Sequence, residues 1–308
     1  MITSPIWLPA TLVAGAIAAW RTAVQRRVGR ELSVNAAGLV RYLYGIPVAV
    51  MLAAIYQWVL APAPLPSTDG KFLLFCLAGG VAQIAGTNLL LMAFDRGNFV
   101  VGTAYSKTEA VQSALLSALF LGDQLTPLAW AGIVAGVAGV VLLALGGGQL
   151  GFRALWRGLG HEAARYGIAS GLMLALTTIA IRRATFSLDT PDHVRAALLT
   201  LAVTVVLQSI LQGGYIVWRE RAQVALVLSS WRVSGQVGLL SSLGSACWFT
   251  GFASAPVALV RIVGQVEVGF TLAFARLYLG EPIRRHEVWG LMLVAFGVVL
   301  ALAGSGIA

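Results

Sequence analysis

The chain has 308 residues, of which 58% are hydrophobic and only 11% are charged, and its mean hydropathy is +0.85. Soluble domains carry about 25% charged residues, so the composition excludes an ordinary water-soluble domain. The net charge of +9 comes from arginines in short segments between apolar runs, with no basic stripe interleaved with aromatics, and no nucleic-acid partner is expected.

Apolar runs of about 20 residues recur along the chain, each long enough to cross a bilayer as an α-helix. The runs are continuous, which favours helices over the alternating strands of a membrane barrel. The predicted fold is therefore all-α and integral to the membrane, with ten transmembrane helices. In chain order the predicted spans are 6–25, 34–59, 71–93, 99–121, 127–147, 163–182, 193–218, 233–253, 256–279 and 287–305.

The second half of the sequence repeats the first. Sliding 94–146 onto 252–304, an offset of 158 residues, brings several glycines and the glutamates Glu109 and Glu267 into register. Each copy has an odd number of spans, five, so the two copies face opposite ways and form an inverted repeat. The predicted domains are a first five-helix repeat at 1–147, a linker at 148–162 and a second five-helix repeat at 163–308.

The cations are unequally distributed between the two sets of loops. Segments after the odd-numbered spans carry twelve arginines, whereas the opposite side offers three cations, Lys71, Arg182 and Arg183. Cytoplasmic loops are enriched in cations, so this count predicts that both termini lie outside. The twelve are Arg26, Arg27, Arg30, Arg96, Arg153, Arg157, Arg165, Arg219, Arg221, Arg232, Arg284 and Arg285.

Glu109 and Glu267 are an acidic pair that the offset aligns, and each lies near the centre of a predicted span. A charge at the bilayer centre costs at least about 2.5–3.5 kcal/mol, so such a residue usually faces a cavity or a partner. Ser106 and Ser113 share the helix face of Glu109. We predict that both acids line a transport cavity and exchange a proton for substrate; the alternative is that each only neutralises a buried arginine and fixes helix packing.

Several residues near the two acids are candidates for the same pathway. Lys107 points about 200° away from Glu109 around the helix, and Arg261 about 120° away from Glu267, so each must find its partner elsewhere. Tyr105, Gln112 and Gln265 would suit an organic amine or amino acid, or equally ordinary hydrogen bonds between helices. Late in span 1, Trp20 and Arg21 could line the cavity.

Other features of the spans suggest packing. Arg41 and Arg195, near the starts of spans 2 and 7, are predicted to snorkel to the membrane interface. Glycines on spans 5 and 10 predict close helix contacts: Gly132, Gly136, Gly139, Gly290 and Gly297. The sequence has no HExxH, phosphate-binding loop or CxxC motif, so neither an enzyme nor a metal or other cofactor is expected.

Two matching segments close the repeats, LFLGDQLTPLAWAGIVAGVAGVVLLALG at 119–146 and LYLGEPIRRHEVWGLMLVAFGVVLALAG at 277–304. With the ten spans, Trp20 and Arg41, they resemble the EamA-type transporters of the drug/metabolite transporter superfamily. The resemblance implies a central cavity between the repeats and secondary transport without ATP. It also implies cytoplasmic termini, opposite to the cation count.

The sequence thus predicts a multi-pass inner-membrane secondary transporter that moves a small organic metabolite, amino acid or drug by alternating access, as an exporter coupled to protons. An uncoupled facilitator of the same fold, an intramembrane lipid-modifying enzyme and a membrane scaffold are the alternatives. Expected partners are the small organic solute, the lipid bilayer and protons, and a homodimer stays open.

Overall fold

The computed structural model describes residues 5–28, 32–95, 105–145, 162–279 and 285–305. Within them the chain is helical and contains no β-strand, as the predicted all-α fold requires. A π-helical turn at Tyr56–Leu60 follows the third helix. The described α-helices are α1 Trp7–Val28, α2 Val34–Leu43, α3 Ile46–Ile55, α4 Gly70–Asp95, α5 Glu109–Leu121, α6 Pro127–Leu145, α7 Glu162–Ser187, α8 His193–Arg219, α9 Arg221–Ser229, α10 Trp231–Ser254, α11 Val257–Gly264, α12 Glu267–Leu279 and α13 Arg285–Gly304.

Some predicted features lie outside the described residues. Of the linker predicted at 148–162 only Glu162 is described. The loop arginines outside the described residues are Arg30, Arg96, Arg153, Arg157 and Arg284, and the side chains of Arg26 and Arg27 are not described either.

Four helical segments are long and apolar enough to cross a bilayer, judged by length and composition: Val34–Leu60, Gly70–Ala93, Glu162–Ser187 and His193–Arg219. Shorter apolar helices occupy Glu109–Leu121, Pro127–Leu143 and Val288–Gly304. These segments support a protein embedded in the membrane, whereas the count of ten spans stays a prediction.

Three spans that the sequence predicts as continuous are interrupted. Span 2 is divided at Tyr44–Gly45, where a proline follows in the first turn of α3 and cannot donate a backbone hydrogen bond. Neighbouring helices support this break: the Tyr44 hydroxyl donates to the Val227 carbonyl at 2.9 Å, and the Ser242 hydroxyl donates to the Gly45 carbonyl at 2.8 Å. Spans 4 and 9 are interrupted near their glutamates, as described below.

The described chain divides into two compact units. The first contains residues 1–84 and 180–255, and the second contains 85–179 and 256–308. Each unit therefore combines helices from both halves of the sequence, and α4 and α7 each contribute residues to both units.

In the first unit, Arg195 contradicts the snorkelling prediction. Its exposed fraction is 9%, and its Nη2 donates to the Ala61 carbonyl at 2.6 Å and lies 3.7 Å from the Asp192 carboxylate. The π-helical turn ends at Ala61 and offers that carbonyl as an acceptor inside the protein, so the guanidinium need not reach the interface. Arg41 also faces inward and lines a small cavity.

In the second unit, α6 and α13 pack along the predicted glycine seam, which is confirmed. A Cβ on Gly132 would lie 2.5 Å from the Gly297 carbonyl oxygen, and one on Gly139 would lie 2.8 Å from the Gly290 carbonyl oxygen. Only glycine permits so close an approach of two backbones. At the offset of 158, Gly132 corresponds to Gly290 and Gly139 corresponds to Gly297. The two contacts are therefore equivalent, and the seam is symmetric.

Candidate functional site

Predicted spans 4 and 9 each break immediately before their glutamate. Lys107–Thr108 form the turn in one span and Gln265–Val266 in the other, and the offset of 158 aligns the two turns. In each turn the second residue donates its backbone N–H to the carbonyl three positions earlier, at 3.2 Å for Thr108 and 3.1 Å for Val266. This spacing is the tight 3₁₀ arrangement, which often marks a hinge within a helix.

The breaks make Glu109 and Glu267 the first residues of α5 and α12. The N-terminus of a helix carries a partial positive charge that stabilises an acid there by about 0.3–1 kcal/mol. In the first break the Thr108 hydroxyl donates to the Tyr105 carbonyl at 2.6 Å, which satisfies one carbonyl at the turn. Both carboxylates thus occupy equivalent, electrostatically favourable backbone positions.

Each acid pairs with a cation from the other half of the chain. Arg261 Nη2 lies 2.7 Å from Glu109 Oε1, and Lys107 Nζ lies 3.4 Å from Glu267 Oε2. The exposed fractions are 18% and 14% for the arginine and its acid, and 23% and 21% for the lysine and its acid. We call these contacts the crossed ion pairs; all four residues belong to the second compact unit.

The crossed ion pairs bring two cations and two acids together, so their formal charges cancel. Such cancellation is what makes charges tolerable in apolar surroundings, because removal of one partner leaves an uncompensated buried charge. Lys107, which was expected to find its partner on another helix, pairs with Glu267 on α12.

The duplication that aligns the acids does not align the cations. Lys107 corresponds to Gln265 in the other half, and Arg261 corresponds to Thr103. The acids and the breaks are therefore symmetric features of the site, whereas the positive charges are not.

Predicted polar residues surround the breaks. Gln112 Nε2 donates to the Thr108 hydroxyl at 3.2 Å and to the Ile168 carbonyl at 3.4 Å. Tyr105 and Ser106 are buried. Gln265 is 3% exposed, and among the described residues neither its amide nitrogen nor its amide oxygen has a hydrogen-bond partner. Buried amides usually have hydrogen-bond partners, so Gln265 stays a candidate for contact with a solute.

Gly171, which was not among the predicted site residues, is the point at which α7 contacts the first break. A Cβ on Gly171 would lie 3.1 Å from the Ser106 carbonyl oxygen and 3.2 Å from the Glu109 backbone nitrogen. The one sequence signal for it was its alignment with Gly15, at an offset of 156 residues, in the first parts of the two repeats.

Trp20 and Arg21, the remaining predicted site residues, lie on α1 in the first compact unit. Trp20 is 52% exposed, and Arg21 is partly buried. Their role in a cavity stays a prediction.

Comparisons with known proteins bear on this arrangement of repeated helices. The sequence profile of the EamA-like transporter family matches residues 5–145 and again 163–303. The chain belongs to the EamA-like transporter family. A relative from Sinorhizobium sp, described as an uncharacterized transporter in the cobO 3' region, is 31% identical over 144 residues, which are 46% of this chain and 99% of that protein.

The fold also has a counterpart among solved structures. A crystal structure superimposes with a TM-score of 0.69, covers 97% of this chain and 99% of the other, and shares 15% sequence identity, so the likeness concerns the fold alone. The family membership, the two matched repeats and the apolar helices together identify a membrane transporter.

Proposed function

We propose that this EamA-like protein is a ten-helix secondary transporter of the cell inner membrane that moves a small organic metabolite, amino acid or drug by alternating access. In this proposal it exports the solute in exchange for protons, and the repeats at 1–147 and 163–308 each contribute one broken helix to the site. The main support for this proposal is the two crossed ion pairs, which lie at equivalent helix breaks.

Broken helices suit alternating access for a physical reason. A break within a span frees backbone polar groups and places a hinge where the chain also binds its ligands, as in other transporters built from inverted repeats. Here each break is followed directly by an acid, and each acid forms an ion pair with a cation from the other half of the chain. A change at either acid therefore acts on both halves at once.

Protonation of Glu109 supplies such a change. When the carboxylate accepts a proton it loses the negative charge that attracts Arg261, and the tie between α5 and α11 weakens. Release of the proton restores the tie. The proton and the packing of the two broken helices are thereby linked, and a solute that binds one arrangement better than the other completes the coupling.

The competing functions fit this site less well. An intramembrane lipid-modifying enzyme would need a nucleophile within reach of a base, and the acids here face cations instead. A scaffold needs no buried charges at matched positions. An uncoupled facilitator would use the crossed ion pairs only to hold its helices together, and experiment separates it from the exporter.

The experiment compares Glu109→Gln and Glu267→Gln in proteoliposomes that contain a trapped pH-sensitive dye, with and without a pH gradient. A panel of amino acids, amines and nucleobases serves as substrate. Glu162→Gln is the matched control, because Glu162 also begins a helix but is exposed. We expect the Glu109 variant to fold, to lose gradient-driven accumulation and to retain downhill exchange, with a smaller loss for the Glu267 variant. Unchanged gradient-driven flux in both variants would leave the acids as structural charges.

A further inference from the structure

The segment at 217–232 carries three arginines that the proposed function does not use. It joins the end of α8, the nine-residue α9 and the start of α10, all within the first compact unit. Helix α8 is long and apolar enough to cross a bilayer, which brings its end at Arg219 to the membrane surface. Helix α9 follows after one residue and is too short to cross, so it stays at the same surface.

The one acid in this segment, Glu220, is engaged by the protein itself. The Asn35 side chain donates to Glu220 Oε1 at 2.6 Å, and the Ser33 hydroxyl donates to Glu220 Oε2. Gln223 reinforces this contact, because its side-chain oxygen accepts from the Ser33 backbone N–H at 3.0 Å. These bonds hold the carboxylate against the start of α2, so the formal charges that the segment presents outward are positive.

The three arginines are exposed, and contacts hold each of them. The guanidinium carbon of Arg219 lies 4.4 Å from the centroid of the Trp218 ring, and that of Arg232 lies 5.4 Å from the centroid of the Trp231 ring. Arg221 Nε donates to a carbonyl in the last turn of α8 at 3.0 Å, and its two terminal nitrogens carry further N–H groups. Because cation–π attraction orients a guanidinium, less freedom is lost when it binds another group.

Apolar side chains extend the same outward surface. Trp218 is 67% exposed and Trp231 is 58% exposed. On α9 the exposed residues Ala222, Ala225 and Leu226 share one face of the helix by their spacing. Tryptophan rings favour the level at which acyl chains meet headgroups, and an amphipathic surface helix buries its apolar face there.

We propose that the surface formed by Trp218, Arg219, Arg221, Trp231 and Arg232, here called the basic surface, binds the headgroup of an anionic phospholipid. Its charge complements that lipid, since three guanidiniums face outward and the neighbouring carboxylate is engaged elsewhere. Guanidinium N–H groups match phosphate oxygens in geometry as well as in charge. The bias that keeps cytoplasmic loops positive requires charge alone, and would not place tryptophans against two of the three guanidiniums. The proposal does not depend on which solute is transported.

The test is lipid binding to the purified full chain in detergent, with bound lipids counted by native mass spectrometry. Phosphatidylglycerol and phosphatidylcholine with the same acyl chains are compared, because they differ in net headgroup charge. We expect tighter binding of phosphatidylglycerol. Each of the variants Arg219→Gln, Arg221→Gln and Arg232→Gln should lower that preference about fivefold, and the triple variant should remove most of it.

Two single variants separate this site from general attraction. Lys71→Gln is the matched control, because Lys71 is an exposed cation of the same unit outside the basic surface, and it should leave the preference unchanged. Trp231→Leu keeps every charge but removes a cation–π partner, and it should lower the preference about two- to fivefold.

The outcomes that would overturn the proposal are distinct. An equal preference in the wild type and the triple variant, or an equal loss in Lys71→Gln and Arg232→Gln, would remove the site. An unchanged preference in Trp231→Leu would leave only the general attraction of loop cations and would also remove it. Glycerol 3-phosphate, which has the phosphate without acyl chains, should bind much more weakly, and equal affinity would indicate a soluble anion instead of a lipid. If the triple variant folds poorly, the single variants decide.

Discussion

The crossed ion pairs should stabilise the fold unequally, and double-mutant cycles measure each one. Coulomb attraction varies inversely with distance, so the 2.7 Å pair is stronger than the 3.4 Å pair by a factor of about 1.3 (3.4/2.7) before burial is considered. The Arg261–Glu109 pair is also the less exposed of the two. Both effects favour the arginine pair.

The expected magnitudes follow from that order. Removal of one partner from a buried pair costs about 3–5 kcal/mol, and the partial exposure of Glu109 places Glu109→Gln near the lower end. In the double variant with Arg261→Gln no charge is left unpaired, so we expect a coupling free energy of about 2 kcal/mol. For Lys107 and Glu267 we expect about 1 kcal/mol, closer to an exposed pair.

The assay is reversible unfolding in mixed micelles of increasing SDS content, followed by the fluorescence of the nine tryptophans. Glu109→Gln combined with Arg165→Gln gives the control cycle, because Arg165 is exposed on α7 in the same unit. The control coupling should stay below about 0.5 kcal/mol. If the Glu109–Arg261 coupling is no larger than the control, or smaller than the Lys107–Glu267 coupling, the reasoning from distance and burial fails.

Three further results are expected. Gly297→Ala should lower the free energy of unfolding by about 2 kcal/mol, because its Cβ would lie 2.5 Å from the Gly136 backbone nitrogen. Gly214→Ala is the control in the same unfolding assay: its Cβ would have no atom within 4 Å, so the change should be neutral or stabilising. Gln265→Leu removes a buried amide without a partner, so the protein should be at least as stable, and a clear loss of stability would indicate an undetected partner. Single cysteines in the loops after spans 5 and 9 should resist an impermeant reagent in intact cells, and their labelling would reverse the orientation predicted from the loop cations.

The general character of the fold could be predicted from the sequence, because hydropathy and repeats are properties of long segments. Helical spans follow from apolar runs, and the seam of Gly132, Gly139, Gly290 and Gly297 follows from glycines in register. In both cases many residues indicate the same structure, so a misread residue at one position changes the prediction little.

The break in span 4 could not be predicted in this way. No glycine or proline lies at Lys107–Thr108. The turn requires only that the Thr108 N–H donates to the carbonyl three residues earlier rather than to the carbonyl four residues earlier. Its support comes from tertiary contacts, such as the approach of Gly171 on α7, which is 62 residues from Glu109 (171 − 109). The 200° angle between Lys107 and Glu109 assumed a continuous helix, which the break removes, so only the packing of the broken helices identifies Glu267 as the partner of Lys107.

The unequal cations bear on how a duplicated unit can work. The duplication preserved the acids and the breaks, yet Lys107 aligns with Gln265 and Arg261 with Thr103, so each acid has a partner of separate origin. If the two ends of an alternating cycle each open one crossed ion pair, the end that opens the shorter, less exposed arginine pair costs more free energy. We therefore expect the two end states to be unequally populated at rest, although the gradients across the membrane still set the direction of net flux. An inverted repeat with equal pairs would lack this source of preference, so we expect the unequal cations to distinguish the two otherwise similar halves.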